Sequence, residues 1–507
     1  MALKINACHR QYAERQAQWK RCRDAAEGSD AVKAAGTEYL PQLSGQDSQE
    51  YAAYKLRADW YGATDRTLAG LTGAVFRRPM QVEFPPEEAA QALLADLGLS
   101  NLSAEQIVFT LMWELLAVGR HALYVDYPTT TAEEDRPYVV SVRAEALMNW
   151  GVRQEKGREV LDWVVIEEEY ETVEHGDRYQ SQNKPQWRLL ELTRDSDEMR
   201  INPWTPAPYH YEVSVWRKNE HPDPGREEFI EVERYIPQRR GQLLDFIPLV
   251  FFGPRDTTLR VDKPPLIDLV DLNFSHYRTS ADLEHGRHFT GLPTPWVAGF
   301  PSETQLRIGS NIAWVSDDSS AKAGILEFTG QGLGALEKAI EHKEQQMAVL
   351  GARLLEEQKR AAEAAATVEL RQTGETATMI RMIQTIEEGF SRILRWVAWW
   401  GEIVDKKDDR NITLVLNRDL MATRATPQEI AAIVQAVQGG VMSFETAYMN
   451  LERLEMTREN ISAEIEQEAI QAKEEQTLVE RPGASPSPAD QVRIQKTVEA
   501  ITRQGAT

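Results

Sequence analysis

The sequence predicts an α+β protein whose helical and strand regions follow one another along the chain. Apolar residues recur every three or four positions up to about residue 120, every second position between Tyr138 and Phe252, and every three or four again from Pro264. Helices repeat every 3.6 residues and strands every two. This order predicts a helical start, a mostly antiparallel β region and a helical second half.

Length and charge narrow the classes of protein to which this chain can belong. A chain of 507 residues is too long to fold around one ordinary hydrophobic core, which predicts a modular subunit. Its 79 acidic and 57 basic residues give a net charge of -22, the wrong sign for a protein that grips phosphates over its whole surface. Cys8 and Cys22 are the only cysteines, which fits a reducing compartment. The sequence contains neither a signal peptide nor a long apolar segment, so we expect no membrane association.

Two capping boxes predict where early helices begin. The first, Asp47–Glu50, precedes one long amphipathic helix that ends at Arg78–Pro79. The second, Ser103–Gln106, precedes a helix that Gly119 ends, before a strand over His121–Tyr127. Beyond Tyr138, alternation predicts strands at Val160–Tyr170, Trp187–Thr193, Tyr211–Trp216, Phe229–Tyr235 and Ile247–Phe252.

The second half of the chain predicts two long helices around a short β piece. Pro264–Pro265 begins the first helix, which ends before Gly291, and Trp296–Phe328 carries the β piece, with Ile312–Val315 and Ile325–Phe328 as its best strands. The second helix has near-heptad apolar spacing from Leu336 to Leu354, so we expect it to pack on another helix.

The next segment, Lys359–Thr373, combines small residues with mixed charge and lacks an apolar stripe, which predicts a mobile loop. An apolar stripe resumes from Met379 to Val404 and predicts a long helix, followed by a strand at Ile412–Leu416 and small C-terminal helices after Thr426. Beyond Glu474, Pro, Ser and Gly predict poor order.

Motifs for catalysis are scarce, so we expect no enzyme activity and no cofactor. The chain has no GxxxxGK[ST], GxSxG or HExxH motif. Gly330–Ala335 matches the GxGxxG/A turn that binds a pyrophosphate. A dinucleotide site also needs a second parallel strand about 20 residues on, where Gly351–Glu357 still has a helical pattern. A flexible hinge is the favoured interpretation of this turn.

Three side-chain clusters have a chemical and a structural interpretation. The trio Glu284, His285 and His288 could hold a metal ion, yet a polar helix end is favoured and we expect no metal. The carboxylates of 167–171 alternate between strand faces, which favours a solvated edge. The tryptophans 396, 399 and 400 could stack on bases, but they continue an apolar helical stripe, which favours core packing.

Three phrases of the sequence resemble bacteriophage portal proteins. They are YLPQLSG at Tyr39–Gly45, GAVFRRP at Gly73–Pro79 and HFTGLPTPWVAG at His288–Gly299, and the order of the predicted segments is similar too. The resemblance implies a portal-type fold with a wing (1–261), a first stem helix (262–290), a clip (291–332), a second stem helix (333–358), a tunnel loop (359–373), a return to the wing with a long tunnel helix and a strand (374–425), a helical crown (426–475) and a disordered tail (476–507).

The resemblance also implies a function. A portal is a ring, expected here to be a dodecamer, at one capsid vertex of the virion, assembled in the host cytoplasm. Double-stranded DNA passes through it during packaging and ejection, and the clip meets the large subunit of the terminase. Head–tail adaptor, major capsid and scaffolding proteins would be further partners. In the tunnel loop, Lys359, Arg360 and Arg371 would contact DNA.

Two other functions remain open at this point. The chain could be another structural virion protein, such as a head–tail adaptor or a capsid-associated protein. More remotely, it could be a nucleotide-binding enzyme that uses the Gly330–Ala335 turn. Two stem helices and a clip in one subunit favour the portal, whereas cofactor binding lost on Gly332→Ala would favour the enzyme.

Overall fold

The computed structural model describes residues 4–99, 101–128, 136–155, 157–173, 179–194, 209–220, 228–291, 294–300, 314–326, 330, 332–352, 365–418, 420, 427–439, 441–453 and 463–470. The chain divides into two compact units, Met1–Leu420 and Met421–Thr507. Within the described residues, every pairing between named strands is antiparallel, and the two larger sheets lie between a mainly helical N-terminal region and a second half dominated by long helices. The protein is therefore of the predicted α+β class.

The chain up to Ala117 forms helices with one short strand. They are α1 (Arg10–Glu27), α2 (Ser29–Ala34), α3 (Ser48–Arg57), α4 (Ala63–Val75), β1 (Gln81–Glu83), α5 (Glu88–Ala95) and α6 (Ala104–Ala117). Both predicted capping boxes are present, at the starts of α3 and α6. The single long helix predicted up to Arg78–Pro79 is wrong, because the chain becomes extended at Ala58 and a second helix starts at Ala63.

Two sheets follow. The first contains β2 (His121–Asp126), β3 (Tyr138–Arg143) and β11 (Leu249–Phe252) in the order β11-β2-β3. The second is a meander of β4 (Leu147–Glu155), β5 (Arg158–Val173), β6 (Ser181–Arg194), β7 (Tyr209–Lys218) and β8 (Phe229–Tyr235). A small hairpin, β9 (Gln238–Arg239) with β10 (Gln242–Leu243), leads back to β11. The predicted strands of this region are confirmed, with β5 to β7 longer than expected at their polar ends and β11 starting at Leu249 instead of Ile247.

The second half of the chain alternates long helices with short strands. It contains α7 (Ile267–Gly291), β12 (Thr294–Ala298), β13 (Lys322–Leu326), α8 (Leu333–Met347), a π turn at Ala348–Ala352, α9 (Ala365–Trp400) and β14 (Thr413–Val415). The β piece differs from its prediction, since β12 starts earlier than expected and Val315 lies outside any strand. The second unit contains α10 (Pro427–Gln438), α11 (Phe444–Arg453) and helical residues 463–470. The predicted tail, 476–507, lies outside the described residues.

Helix α9 forms the centre of the main core against α6 and the three-stranded sheet. A Cβ placed on Gly389 would lie only 2.3 Å from Cε1 of Phe252, so the helix backbone approaches the sheet at this position. The predicted core role of the tryptophans is confirmed, because Trp396 and Trp400 are buried in this cluster. Among the described residues, no helix is long and apolar enough to span a membrane.

Side chains of α9 also stabilise β14, which pairs with β1 on one edge. On the other edge, the Leu414 amide donates to Ser391 Oγ and the Leu416 amide donates to the Glu387 carboxylate, each at 2.9 Å. Helix side chains thus take the place of a further strand. This arrangement joins the start and the end of the first unit into one core.

Candidate functional site

The residues predicted to contact DNA can be placed only in part. Lys359 and Arg360 lie outside the described residues. Arg371 lies in α9, which begins at Ala365, so the last nine residues of the predicted loop 359–373 are helical. The loop boundary is corrected for a physical reason: the sequence AATVELRQT is rich in Ala, Glu, Leu, Arg and Gln, which favour helix even without an apolar stripe.

The best-defined candidate site is an arm of two antiparallel helices, α7 and α8, which enclose the β12–β13 strand pair in the sequence. Helix α7 has 25 residues, which corresponds to a length of about 37 Å. Contacts near both ends of the pair define one antiparallel alignment of the two helices. Arg287 binds Glu337 at 2.8 Å near one end, and His276 Nε2 lies 3.3 Å from the Glu344 carboxylate near the other. Gly286 permits the contact with Leu333, which would lie 2.6 Å from an added Cβ.

The base of the arm is packed firmly against the N-terminal helices. Phe274, Tyr277 and Ala281 of α7 are buried in a cluster with residues of α1, α2 and α3. Tyr54 Oη donates to the Asp282 carboxylate at 2.6 Å from α3. The base of α7 is therefore fixed by apolar burial and by a charge-assisted hydrogen bond.

A buried arginine holds the segment that leads into α7. Arg120 Nη1 donates to the carbonyl oxygen of Leu259 at 3.1 Å, and its guanidinium lies 4.3 Å from the ring centre of Trp150 and 4.8 Å from that of Phe251. Burial lowers the pKa of Arg120 to about 9. The preceding Gly119 has φ +78°, and a Cβ there would meet Lys263 O at 3.3 Å. The turn at Gly119 therefore packs directly against residues 263–265, which lead into α7.

A buried asparagine fastens α7 to the break between α3 and α4. Asn273 is fully buried, donates to Tyr61 O at 2.8 Å, and accepts from the Thr64 amide at 3.2 Å and from Thr64 Oγ1 at 3.0 Å. These bonds satisfy backbone groups that the interrupted helix leaves open. Sequence periodicity could not reveal the role of Asn273, because its partners lie more than 200 residues away.

The outer part of the arm exposes apolar side chains. Helix α8 buries only Met347. Phe289, Trp296, Val315 and Ile325 are 49%, 44%, 78% and 61% exposed. Large apolar side chains gathered on a projecting element indicate a surface that another protein covers.

A cavity of about 390 Å³ lies between the α3–α4 connection and the α7/α8 pair. Five carboxylates line the cavity, those of Asp59, Glu284, Glu337, Glu341 and Glu344, and among the described residues Arg287 supplies the single guanidinium. We call this side of the α7/α8 pair the acidic groove. The nearby His276 side chain is 5% exposed, and desolvation lowers its pKa despite the neighbouring Glu344. The imidazole is thus neutral near pH 7 and leaves the groove strongly negative.

The other predicted clusters take part in packing interactions. Glu284 pairs with Arg287 at 2.7 Å, and His285 packs edge-on against Tyr54 with ring centres 5.1 Å apart. On strand β5, Glu168 pairs with Arg188 at 2.6 Å. Among the described residues, no group of three or more His, Cys, Asp or Glu side chains is arranged to hold a metal ion.

The Gly330–Ala335 turn differs from a dinucleotide site in its surroundings. Strand β13 before it pairs antiparallel with β12, and α8 after it leads into the π turn. Within the described residues, no parallel strand follows α8. Gly330 has φ +64°, and a Cβ there would lie 3.3 Å from Thr290 Cγ2, so this glycine allows close approach to the end of α7.

Similarity to known proteins is remote. A family model described as a domain of unknown function (DUF4055) matches residues 265–401, little more than a quarter of the chain, from the base of α7 to the end of α9. No curated protein matches the sequence.

Similar solved structures include a chain from the neck of a native gene transfer agent particle computed with C12 symmetry, with 9% identity, 83% of this chain and 98% of that chain covered, and a TM-score of 0.34. A chain from the neck of the empty particle computed with C6 symmetry has 11% identity, covers 85% and 99%, and has a TM-score of 0.35. A chain from the virion of the native particle has 10% identity, the same coverage and a TM-score of 0.35. At such TM-scores the likeness carries no argument about fold or function.

Proposed function

We propose that this chain is a subunit of a bacteriophage portal, a ring at one capsid vertex through which double-stranded DNA is packaged and ejected. The observation that carries the proposal is the two-helix arm, whose base is packed against the N-terminal helices and whose outer part exposes apolar side chains. The arm occupies the segment in which the sequence resembles the stem and clip of portal proteins. The arm is therefore our candidate for the stem and clip.

A ring accounts for the exposure of the arm. Helix α8 has an apolar stripe at near-heptad spacing, yet Leu336 and Ile340 are only half-buried against α7. Repeating the subunit around a cyclic axis would place a neighbouring arm beside each pair and would cover these side chains. The exposed side chains of the β12–β13 region, Trp296 and Ile325, would be covered in the same way.

The charge of the chain fits a channel for sliding DNA. A wall that made many fixed phosphate contacts would hold the duplex in place, because each contact releases counterions and adds affinity. A net charge of -22 avoids this. In the proposal, Lys359, Arg360 and Arg371 supply a few cationic contacts near the N-terminal end of α9.

The portal assignment brings further proposals with it. The β12–β13 end of the arm would meet the large subunit of the terminase, and a head–tail adaptor would take its place after packaging. Major capsid and scaffolding proteins would contact the body. The role is structural and not enzymatic, and the protein would reside in the virion.

The decisive experiment is the native mass of the purified full-length chain by light scattering, with negative-stain imaging. A ring of twelve chains of 57.5 kDa would have a mass of about 690 kDa and a central hole. Ile325→Ser should weaken the ring, and Leu243→Ser is the matched control, an exposed leucine on the β9–β10 hairpin. A chain that stays monomeric at all concentrations and with scaffolding protein present would refute the proposal.

A second experiment tests the channel. Replacing Lys359, Arg360 and Arg371 together by alanine should leave ring mass unchanged and should alter DNA packaging or retention in an assembly assay. Rings with normal packaging would remove these residues from the proposed contact. Rings that act in head–tail joining but never load DNA would instead favour another structural virion protein.

A further inference from the structure

The acidic groove contains more negative charge than the chain itself neutralises. Arg287 is bound to Glu284 and Glu337. Asp59 and Glu341 form no ion pair within the described part of the chain, and the one ionisable partner of Glu344 among the described residues is the His276 imidazole, at 3.3 Å. Three of the five carboxylates in the groove therefore lack a permanently charged partner among the described residues.

A histidine of the groove carries an unsatisfied nitrogen. His276 lines the cavity and its Nε2 lies 3.3 Å from the Glu344 carboxylate, while its buried Nδ1 has no hydrogen-bond partner in the described structure. A buried nitrogen without a partner costs free energy. The carboxylates beside this histidine favour a cationic group in the groove.

The opposite side of the arm carries an unpaired cation. Arg278 is exposed on α7 and has no ion pair among the described residues. Of its two neighbouring carboxylates, Asp271 pairs with Arg21 at 3.5 Å and Asp282 accepts a hydrogen bond from Tyr54. Arg278 lies near Lys343, which donates to Ser275 O at 3.0 Å. We call this side of the α7/α8 pair the basic groove.

Helix geometry places the two grooves back to back at one height. Each residue advances an α-helix by about 100° and 1.5 Å, so Arg278 points roughly 160–200° away from His276 and Ser280, which line the cavity. Along the helix axis it lies midway between them, within about 3 Å of each. One face of the arm therefore presents the carboxylates of the acidic groove, and the opposite face presents the Arg278 guanidinium at the same level, beside Asp271 and Asp282.

We propose that Arg278 of one copy enters the acidic groove of the next copy, an inference that rests on the ring of the proposed function. Copies in a closed ring are related by rotation without translation along the axis, so opposite faces of the arm meet at equal heights. With the arms roughly parallel to the ring axis, Arg278 meets the carboxylates of Glu341 and Glu344 in the next copy. A second copy of this chain is thus the occupant of the cavity.

The contact fixes the height at which one arm packs against the next. The partly enclosed groove screens the charges less than open water does, so an arginine there would be attracted, whereas a glutamate would be repelled. The ring contains as many such contacts as subunits, which multiplies the effect of a single substitution on assembly.

The test measures the subunit concentration at half assembly of the full-length chain, by analytical ultracentrifugation at low and high salt. Arg278→Glu should raise that concentration at least ~10-fold at low salt, with a smaller effect at high salt. Lys338→Glu is the matched control, because Lys338 is exposed on α8 outside both grooves. Combining Arg278→Glu with Glu341→Arg should restore assembly, since the reversed charges again attract.

The outcomes separate this inference from the portal proposal. Wild-type rings together with unchanged assembly of Arg278→Glu would overturn the inference and leave the portal proposal standing. A loss that Glu341→Arg does not repair would also overturn the pairing. Absence of any wild-type self-association would refute both. If Arg278→Glu fails to fold, the assembly of Arg278→Gln is compared with that of the wild type instead. In addition, cysteines placed at positions 278 and 341 should form disulfides between neighbouring subunits, seen as a ladder of cross-linked species.

Discussion

Replacing Asn273 by alanine should loosen the base of the arm, because the side chain makes three hydrogen bonds to the α3–α4 connection. The substitution removes the donor to Tyr61 O and the acceptor of the Thr64 amide. Each backbone group left buried without a partner costs roughly 1–3 kcal/mol, and water in the vacated space would recover part of this. We expect a net loss of about 2–4 kcal/mol in the free energy of unfolding of this region.

Hydrogen exchange of the Thr64 amide measures this loss directly, because that amide is a bonding partner of Asn273. A loss of 2–4 kcal/mol corresponds to roughly 30-fold to several-hundred-fold faster exchange. Ser280→Ala is the matched control, since Ser280 is buried on the same helix but forms no hydrogen bond among the described residues. Exchange rates within ~3-fold of that control would refute the reasoning, because the three bonds would then contribute almost nothing.

Three further predictions concern the core. Burial lowers the pKa of His121 from 6.5 to about 3, so its contribution to stability should be full above about pH 6.5 and fall by up to ~1.4 kcal/mol per pH unit as pH drops toward 3, and urea titrations of His121→Gln should show a slope that is smaller by this amount. Gly389→Ala should cost about 1–3 kcal/mol through collision with Phe252, seen as a lower melting temperature that Phe252→Leu partly restores. Arg23→Met should cost about 3 kcal/mol in urea unfolding by leaving buried Glu114 without its bidentate partner, and Glu114→Gln should recover most of it; an unchanged midpoint would contradict this account.

The strand region was predictable because local pattern and tertiary environment agree there. Strand β8 matches its predicted bounds, Phe229–Tyr235. Strand β6 extends to Ser181, six residues before the predicted Trp187, because the end of this hairpin is polar on both faces and carries no alternation. Strand β4 escaped prediction since Gly151 and a bulge interrupt its pattern, and a Cβ at Gly151 would collide with Trp163.

The helix boundaries that failed depend on distant or weak information. At the break between α3 and α4, the side chain of Asn273 hydrogen-bonds the carbonyl oxygen of Tyr61. No local sequence pattern relates these two distant residues. The start of α9 at Ala365 follows intrinsic helix propensity, whereas its apolar stripe begins later, near Met379. A prediction that uses only apolar periodicity places such a start too late.

The arm explains why its charged residues were invisible to sequence reasoning. Glu341, Glu344 and Arg278 look like ordinary solvated helix positions, because on an isolated helix a charge facing water needs no partner. Their separation becomes visible only in the paired helices, because the alignment of α7 and α8 places the carboxylates of Glu341 and Glu344 on one face and Arg278 on the other. A single subunit gains nothing from that separation of charge. In the proposed ring, repeated copies would gain a set of attractive contacts at a fixed height, and sliding one arm along the next would break them.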